Sequence, residues 1–167
     1  MAYSDLPKTR RDGVIKLKDG TGPTAIELTI AFEEGNLTFD TPKPAQTVIR
    51  DRGTISTVRK GDDEPTASGS FSAFFRQFTD GSEAGSLLDF INKTGHYATN
   101  ISTGSSGTPF IEFYCVDLEY TIDATALGDD AATTATLSKC VCTASFTEGD
   151  PSSFTINFTS YGAIAYT

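Results

Sequence analysis

The stretch Thr24-Ala25-Ile26-Glu27-Leu28-Thr29-Ile30-Ala31-Phe32 decides the fold class. Side chains alternate across an extended chain, so Ile26, Leu28, Ile30 and Phe32 share one face while Glu27, Thr29 and Ala31 take the other. Glu33-Glu34-Gly35-Asn36 carries turn chemistry, and alternation resumes at Leu37 and Phe39. The pattern predicts a hairpin over residues 26–39 with one buried and one wet face.

The same period of two recurs downstream. Val116, Leu118, Tyr120 and Ile122 alternate with Asp117, Glu119 and Thr121, and Phe154, Ile156 and Phe158 alternate with Thr155, Asn157 and Thr159. Residues 109–123 read as the longest strand, apolar on both faces in the first half, with residues 135–146 as its partner. Glu148-Gly149-Asp150-Pro151 turns the chain toward residues 154–159, and residues 163–166 form a last apolar stretch. Residues 13–17 and 66–75 add two further strand candidates. Gly69 inside the second marks a bulge or a close approach of another backbone. A single helix is predicted, with Ser82 as N-cap, Glu83 in the first turn, a stripe of Ala84, Leu87, Leu88 and Ile91, Lys93 in the last turn and Gly95 as the stop. Together these elements predict about seven or eight strands and one helix: a mainly β chain, a β-sandwich or barrel with one packed α-helix.

Two segments fall outside the alternating pattern. Residues 1–12 contain Pro7 and Lys8-Thr9-Arg10-Arg11 and read as an N-terminal arm. Residues 40–65 read as a long charged loop. Thr41-Pro42-Lys43-Pro44 breaks any strand, only Val48-Ile49 and residues 55–58 are apolar enough to pair, and Arg50, Asp51, Arg52, Arg59, Lys60, Asp62, Asp63 and Glu64 crowd the remainder. A loop of this length in a compact domain is either functional or a mobile surface segment. Both readings stay open from the residues.

The 167 residues suit one domain, spanning 1–167. A net charge of -9 argues against a surface that grips phosphate backbone or anionic lipid, since both need clustered Lys and Arg. No apolar run approaches the ~18 residues of a membrane helix, and the opening residues do not resemble a secretory leader. Three cysteines, Cys115, Cys140 and Cys142, cannot all pair within the chain, which suits a reducing compartment.

Chemistry is hard to place on this chain. His96 is the single histidine, and nothing marks a nucleophile or carboxylate beside it. Cys140-Val141-Cys142 is half a metal site without the other half, so core packing is the better reading. Asp62-Asp63-Glu64 and Gly128-Asp129-Asp130 lack the spaced ligands of a calcium loop. Gly104-Ser105-Ser106-Gly107 lacks the lysine of a phosphate loop. The expectation is a non-enzyme without metal or cofactor.

The order of elements, together with Asp12-Gly13-Val14-Ile15-Lys16-Leu17, residues 26–39 and Ala67-Ser68-Gly69-Ser70-Phe71-Ser72-Ala73, resembles the major tail tube proteins of long non-contractile-tailed phages. Those of the Chi-like siphophages look closest. The resemblance implies a structural virion protein, made in the host cytoplasm, whose hexameric rings stack into a tail tube that conducts the genome. It implies contacts between rings through the loop, carried by Lys43, Arg50, Asp51, Arg52, Arg59, Lys60, Asp62, Asp63 and Glu64. Its partners would be further copies of itself, the tape measure, the tail terminator and the distal tail protein. DNA would meet the protein only in transit through the lumen, with no membrane involved. If the wet strand faces line the lumen, Glu27, Asp117 and Glu119 make an acidic wall past which DNA slides without sticking. Two other classes fit the same pattern: a ligand- or carbohydrate-binding β-sandwich, and the related tube of a type VI secretion system.

Overall fold

The computed structural model describes residues 13–30, 36–62, 65–75, 77–80, 83–104, 113–122 and 132–167. The arm at 1–12, Asp63, Glu64 and the acidic cluster at 128–130 lie outside the described residues. The first strands are β1 (Gly13–Lys18), β2 (Glu27–Ile30), β3 (Thr38–Phe39), β4 (Gln46–Asp51), β5 (Thr54–Lys60) and β6 (Ala67–Phe74). A short pair, β7 (Gln77–Asp80) and β8 (Glu83–Ser86), leads into α1 (Leu87–Asn92). Then come β9 (Val116–Ile122), β10 (Thr133–Thr147), β11 (Ser153–Ser160) and β12 (Ile164–Tyr166).

One sheet carries the order β2-β1-β9-β10-β11-β6-β3, with β12 also on β10, and every pairing is antiparallel. The ends of this path do not pair, so among the described residues the sheet does not close into a barrel. The long β10 divides the sheet into two halves. Thr133 to Leu137 pair with β9, while Cys140 to Thr147 pair with β11. Between them the register shifts, and Lys139 takes the left-handed conformation at φ 55°. Such a bulge bends a strand and raises its twist. Its backbone groups find partners: Lys139 N donates to Asp117 Oδ1 at 2.9 Å, and the Ser138 carbonyl accepts from Gly162 N and from Ser160 Oγ. Ser138 N donates to the Ala163 carbonyl and the Lys139 carbonyl accepts from Tyr161 N, so the backbone groups of both bulge residues are hydrogen-bonded.

The inner faces of the two halves and α1 share one core. Ile15, Leu17, Leu28, Ile30, Val116, Leu118 and Leu137 from one half pack with Phe71, Phe154, Ile156 and Phe158 from the other, and with Leu87, Phe90 and Ile91 of the helix. The arrangement is sandwich-like and mainly β. Burying each of these side chains contributes on the order of 1.5–3 kcal/mol. Asp19 is buried at the β1–β2 connection. Its carboxylate accepts backbone N–H groups from Thr21, Ile26 and Ile101, and the Thr21 hydroxyl. That satisfies a charge which would otherwise be costly to bury, and it ties the connection to the chain after the helix.

Four sequence expectations are corrected. The hairpin over residues 26–39 does not form: β2 pairs with β1, and β3 pairs with β6 at the far end of the sheet. Gly69 is the reason β3 can lie there, because a Cβ at that position would run into the Thr38 carbonyl, the Phe39 Cα and the Phe158 ring. This is the close backbone approach that the glycine implied.

The helix starts later than predicted. Residues 83–86 pair with β7, and Ser86, not Ser82, is the N-cap. A reciprocal capping box joins Ser86 and Asp89: Asp89 N donates to Ser86 Oγ at 3.1 Å and Ser86 N to Asp89 Oδ2 at 3.0 Å. Lys93 closes the helix in the left-handed conformation instead of adding charge to its last turn. The third correction concerns strand length. β9 begins at Val116, and β10 is the longest strand among the described residues. Phe113 lies outside any strand and is exposed, while residues 105–112 and 123 lie outside the described residues. Fourth, much of 40–65 is not a loop but the β4–β5 ladder.

Candidate assembly surfaces

The first surface is the outer face of the β2-β1-β9 region. Period-two alternation sends Ile15 and Leu17 inward, so Lys16 and Lys18 point out. Registers Lys18↔Glu27, Lys18↔Asp117 and Lys16↔Glu119 then bring the three predicted acidic residues onto one face. Lys18 Nζ lies 2.8 Å from Glu119 and 3.0 Å from Glu27, and Lys16 Nζ lies 3.1 Å from Glu27. The hydrogen bond to Glu119 raises the Lys18 pKa above its ordinary value, with Glu27 adding to the effect. The Lys18 hydrogen bond, and then that of Lys16, lowers Glu27. Asp117 is committed to the bulge through Lys139 N. The face is therefore an ion-paired ladder with a single acid in excess, not a bare acidic wall. The sequence signal for its cations was present in Lys16 and Lys18, which alternate with Ile15 and Leu17.

The other half of the sheet presents a different outer face. Ser72, Thr155 and Ser145 stand in one register row, and Ser70, Asn157 and Thr143 in the next. No ionisable residue stands in these rows. An open groove of about 650 Å³ lies over this hydroxyl-rich area, bordered by Thr38, Asp40, Asn157, Thr159 and Tyr161.

The third surface is the β4–β5 hairpin. Registers run from Gln46↔Lys60 to Asp51↔Thr54, with a shift next to Ile49. Arg52 and Gly53 both take positive φ, 47° and 86°, as a tight two-residue hairpin turn demands. Gly61 N bonds to the Ala45 carbonyl and closes the base. Every residue of both strands is exposed, including Val48, Ile49, Ile55 and Val58. Arg50, Asp51, Arg52, Arg59 and Lys60 stand on this hairpin, with Lys43 and Asp62 exposed beside its base.

None of these surfaces brings together a nucleophile, base and carboxylate. His96 meets Tyr97 edge to face, with ring centroids 5.0 Å apart. Cys115, Cys140 and Cys142 are free thiols. Burial pushes Cys140 up to about 12 and raises Cys142 as well, which disfavours the thiolate that nucleophilic attack needs. Among the described residues, no helix is long and apolar enough to cross a membrane.

Comparison with solved structures finds the same fold. A chain in the cryo-EM structure of the sheath/tube terminator of an extracellular contractile injection system, PVC, in its extended state superposes with a TM-score of 0.59. The match is at 13% identity and covers 99% of each chain. A chain in the extended PVC sheath-tube complex gives a TM-score of 0.57 at 14% identity, covering 98% of this chain and 93% of that one. No protein-family model matches the sequence, and no curated protein does either.

Proposed function

We propose that this chain is a non-enzymatic tube subunit of a phage tail, assembling with copies of itself into hexameric rings that stack into a conduit for genome DNA. The observation that carries this reading is the β4–β5 hairpin, a fully exposed, aliphatic and cationic ladder that contributes no residue to the buried core cluster. Isolated two-stranded hairpins are marginal in water, so a neighbour's surface is the natural source of its stability. The end-to-end fold likeness to chains of sheath-tube assemblies supports the same reading. In this proposal Lys43, Arg50, Asp51, Arg52, Arg59, Lys60, Asp62, Asp63 and Glu64 contact the next ring. The ladder face with Glu27, Asp117 and Glu119 lines the lumen, where its near balance of charge leaves DNA neither held nor strongly repelled.

The assignment to a long non-contractile tail, with tape measure, terminator and distal tail protein as partners, rests on the sequence resemblance. The solved neighbours come from contractile systems, so a tube of the contractile or type VI kind is the second reading. Negative-stain microscopy of the purified protein tests the core of the proposal. The expected result is six-fold rings or hollow tubes; a strictly monomeric protein at high concentration overturns it. Co-purification of a sheath protein with the native particle would favour the second reading.

A further inference from the structure

Phe75, Phe146 and Phe154 form an aromatic cluster at one end of the core, with ring centroids 5.4–5.9 Å apart. Phe154 is buried, but Phe75 and Phe146 are 54% and 55% exposed. Large rings left this open at a sheet end mark contact surfaces. The turn joining β10 to β11 flanks them and carries Glu148 and Asp150, both exposed. That turn is held in place: Gly149 N donates to Ser152 Oγ, and Phe75 N to the Ser152 carbonyl. Among the described residues neither Glu148 nor Asp150 pairs with a cation.

The hairpin is the complement of this patch. It offers Val48 and Val58 as a cross-strand pair on one face. It also carries Arg50, Arg52, Arg59 and Lys60 against the single acid Asp51, on a chain whose net charge is -9. Aliphatic meets aromatic, and basic meets acidic. We propose that the β4–β5 hairpin of one copy docks on the Phe75–Phe146 patch of a second copy, with its arginine tip over Glu148 and Asp150. The inference rests on the reading of the chain as a self-assembling tube subunit and names where the hairpin lands. A nucleic-acid partner would use the cations but leave the exposed valines and isoleucines without a purpose.

The test is a charge exchange in the full-length chain. Arg50→Glu with Arg52→Glu, and separately Glu148→Arg with Asp150→Arg, are expected to lose stacked tubes in negative stain while keeping the wild-type melting temperature. A chain carrying all four changes is expected to regain them. As a second measurement, copies carrying Arg52→Cys are mixed with copies carrying Asp150→Cys and treated with a short bis-maleimide. A cross-linked dimer, absent when either variant is treated alone, is expected. Stacking lost on removal of residues 46–60 but unaffected by the Glu148 and Asp150 changes, with no cross-linked dimer, overturns this landing site and leaves the tube proposal standing. Wild-type protein that never forms rings defeats the tube proposal first. Hairpin charge changes that weaken duplex DNA binding but not stacking also overturn the inference.

Discussion

The body of the molecule and the β4–β5 hairpin are both antiparallel β-structure, and both use Val, Ile and Thr. In the body, alternation delivers Leu118, Ile156 and Phe158 to one core. In the hairpin, Val48, Ile49, Ile55 and Val58 reach solvent on a ladder with no buried residue. β propensity alone therefore does not say what a strand is for. Apolar side chains in the body stabilise this chain. Those in the hairpin contribute little to it and acquire value only against another molecule.

Breaking the body should cost most. Leu118→Ala removes a fully buried side chain from between the two half-sheets and should destabilise by about 2–5 kcal/mol in denaturant unfolding. Asp19→Ala leaves the N–H groups of Thr21, Ile26 and Ile101 without their acceptor. A loss of about 1–3 kcal/mol is expected, with increased hydrogen exchange at those amides. Ser86→Ala removes the helix cap and should cost about 1 kcal/mol. Ser86→Thr, which keeps a hydroxyl able to accept from Asp89 N and donate to Asp89 Oδ2, should recover most of it.

The ladder face lies between the two regions in energy. Glu119→Gln and Glu27→Gln should each cost less than about 1 kcal/mol, because the pairs are partly exposed. Their pH dependence has opposite signs. Lys18 is raised from 10.5, so its pairing stabilises fully below that pH and is lost as pH rises through the folded value. Glu27 is lowered from 4.5, so its pairing is present above that pH and is lost as pH falls through the folded value. Melting scans should show the Glu119→Gln deficit fading at the alkaline end and the Glu27→Gln deficit fading at the acid end. The smallest effect belongs to the hairpin. Val48→Ser with Val58→Ser should change the unfolding free energy of the isolated subunit by no more than about 1 kcal/mol, twice the range of one ordinary surface change, while reducing stacking. A large stability loss would instead show that the hairpin belongs to the body.

Much of the fold was legible because period two is a local property. The faces of β6, β9 and β11 followed directly from Phe71 and Ala73, Val116 and Leu118, and Phe154, Ile156 and Phe158. Partners were less legible. Residues 26–39 read as one hairpin because neighbours in sequence usually pair, yet Gly69 made room for β3 on the opposite edge. The helix start was misplaced because Ser82 and Ser86 are both plausible caps, and β7–β8 pairing took residues 83–86 for a strand. Within the candidate surfaces, the residues of the charged segment and the three acids were visible in the sequence. Lys16 and Lys18 were marked as outward-facing by their alternation with Ile15 and Leu17, but their pairing with those acids was not legible, nor was the patch of Phe75 and Phe146.

Residue order alone establishes that the chain is mainly β, which side chains of most strands face inward, and where charge without apolar alternation concentrates. Each follows from residue spacing along an extended backbone. Packing of the whole chain is what brings Glu27, Asp117 and Glu119 to two lysines, shifts the register of β10 beside Lys139 so that it serves both halves of the sheet, and leaves the charged segment as an exposed ladder. Those facts depend on register between strands distant in sequence, which is set by how the whole core packs.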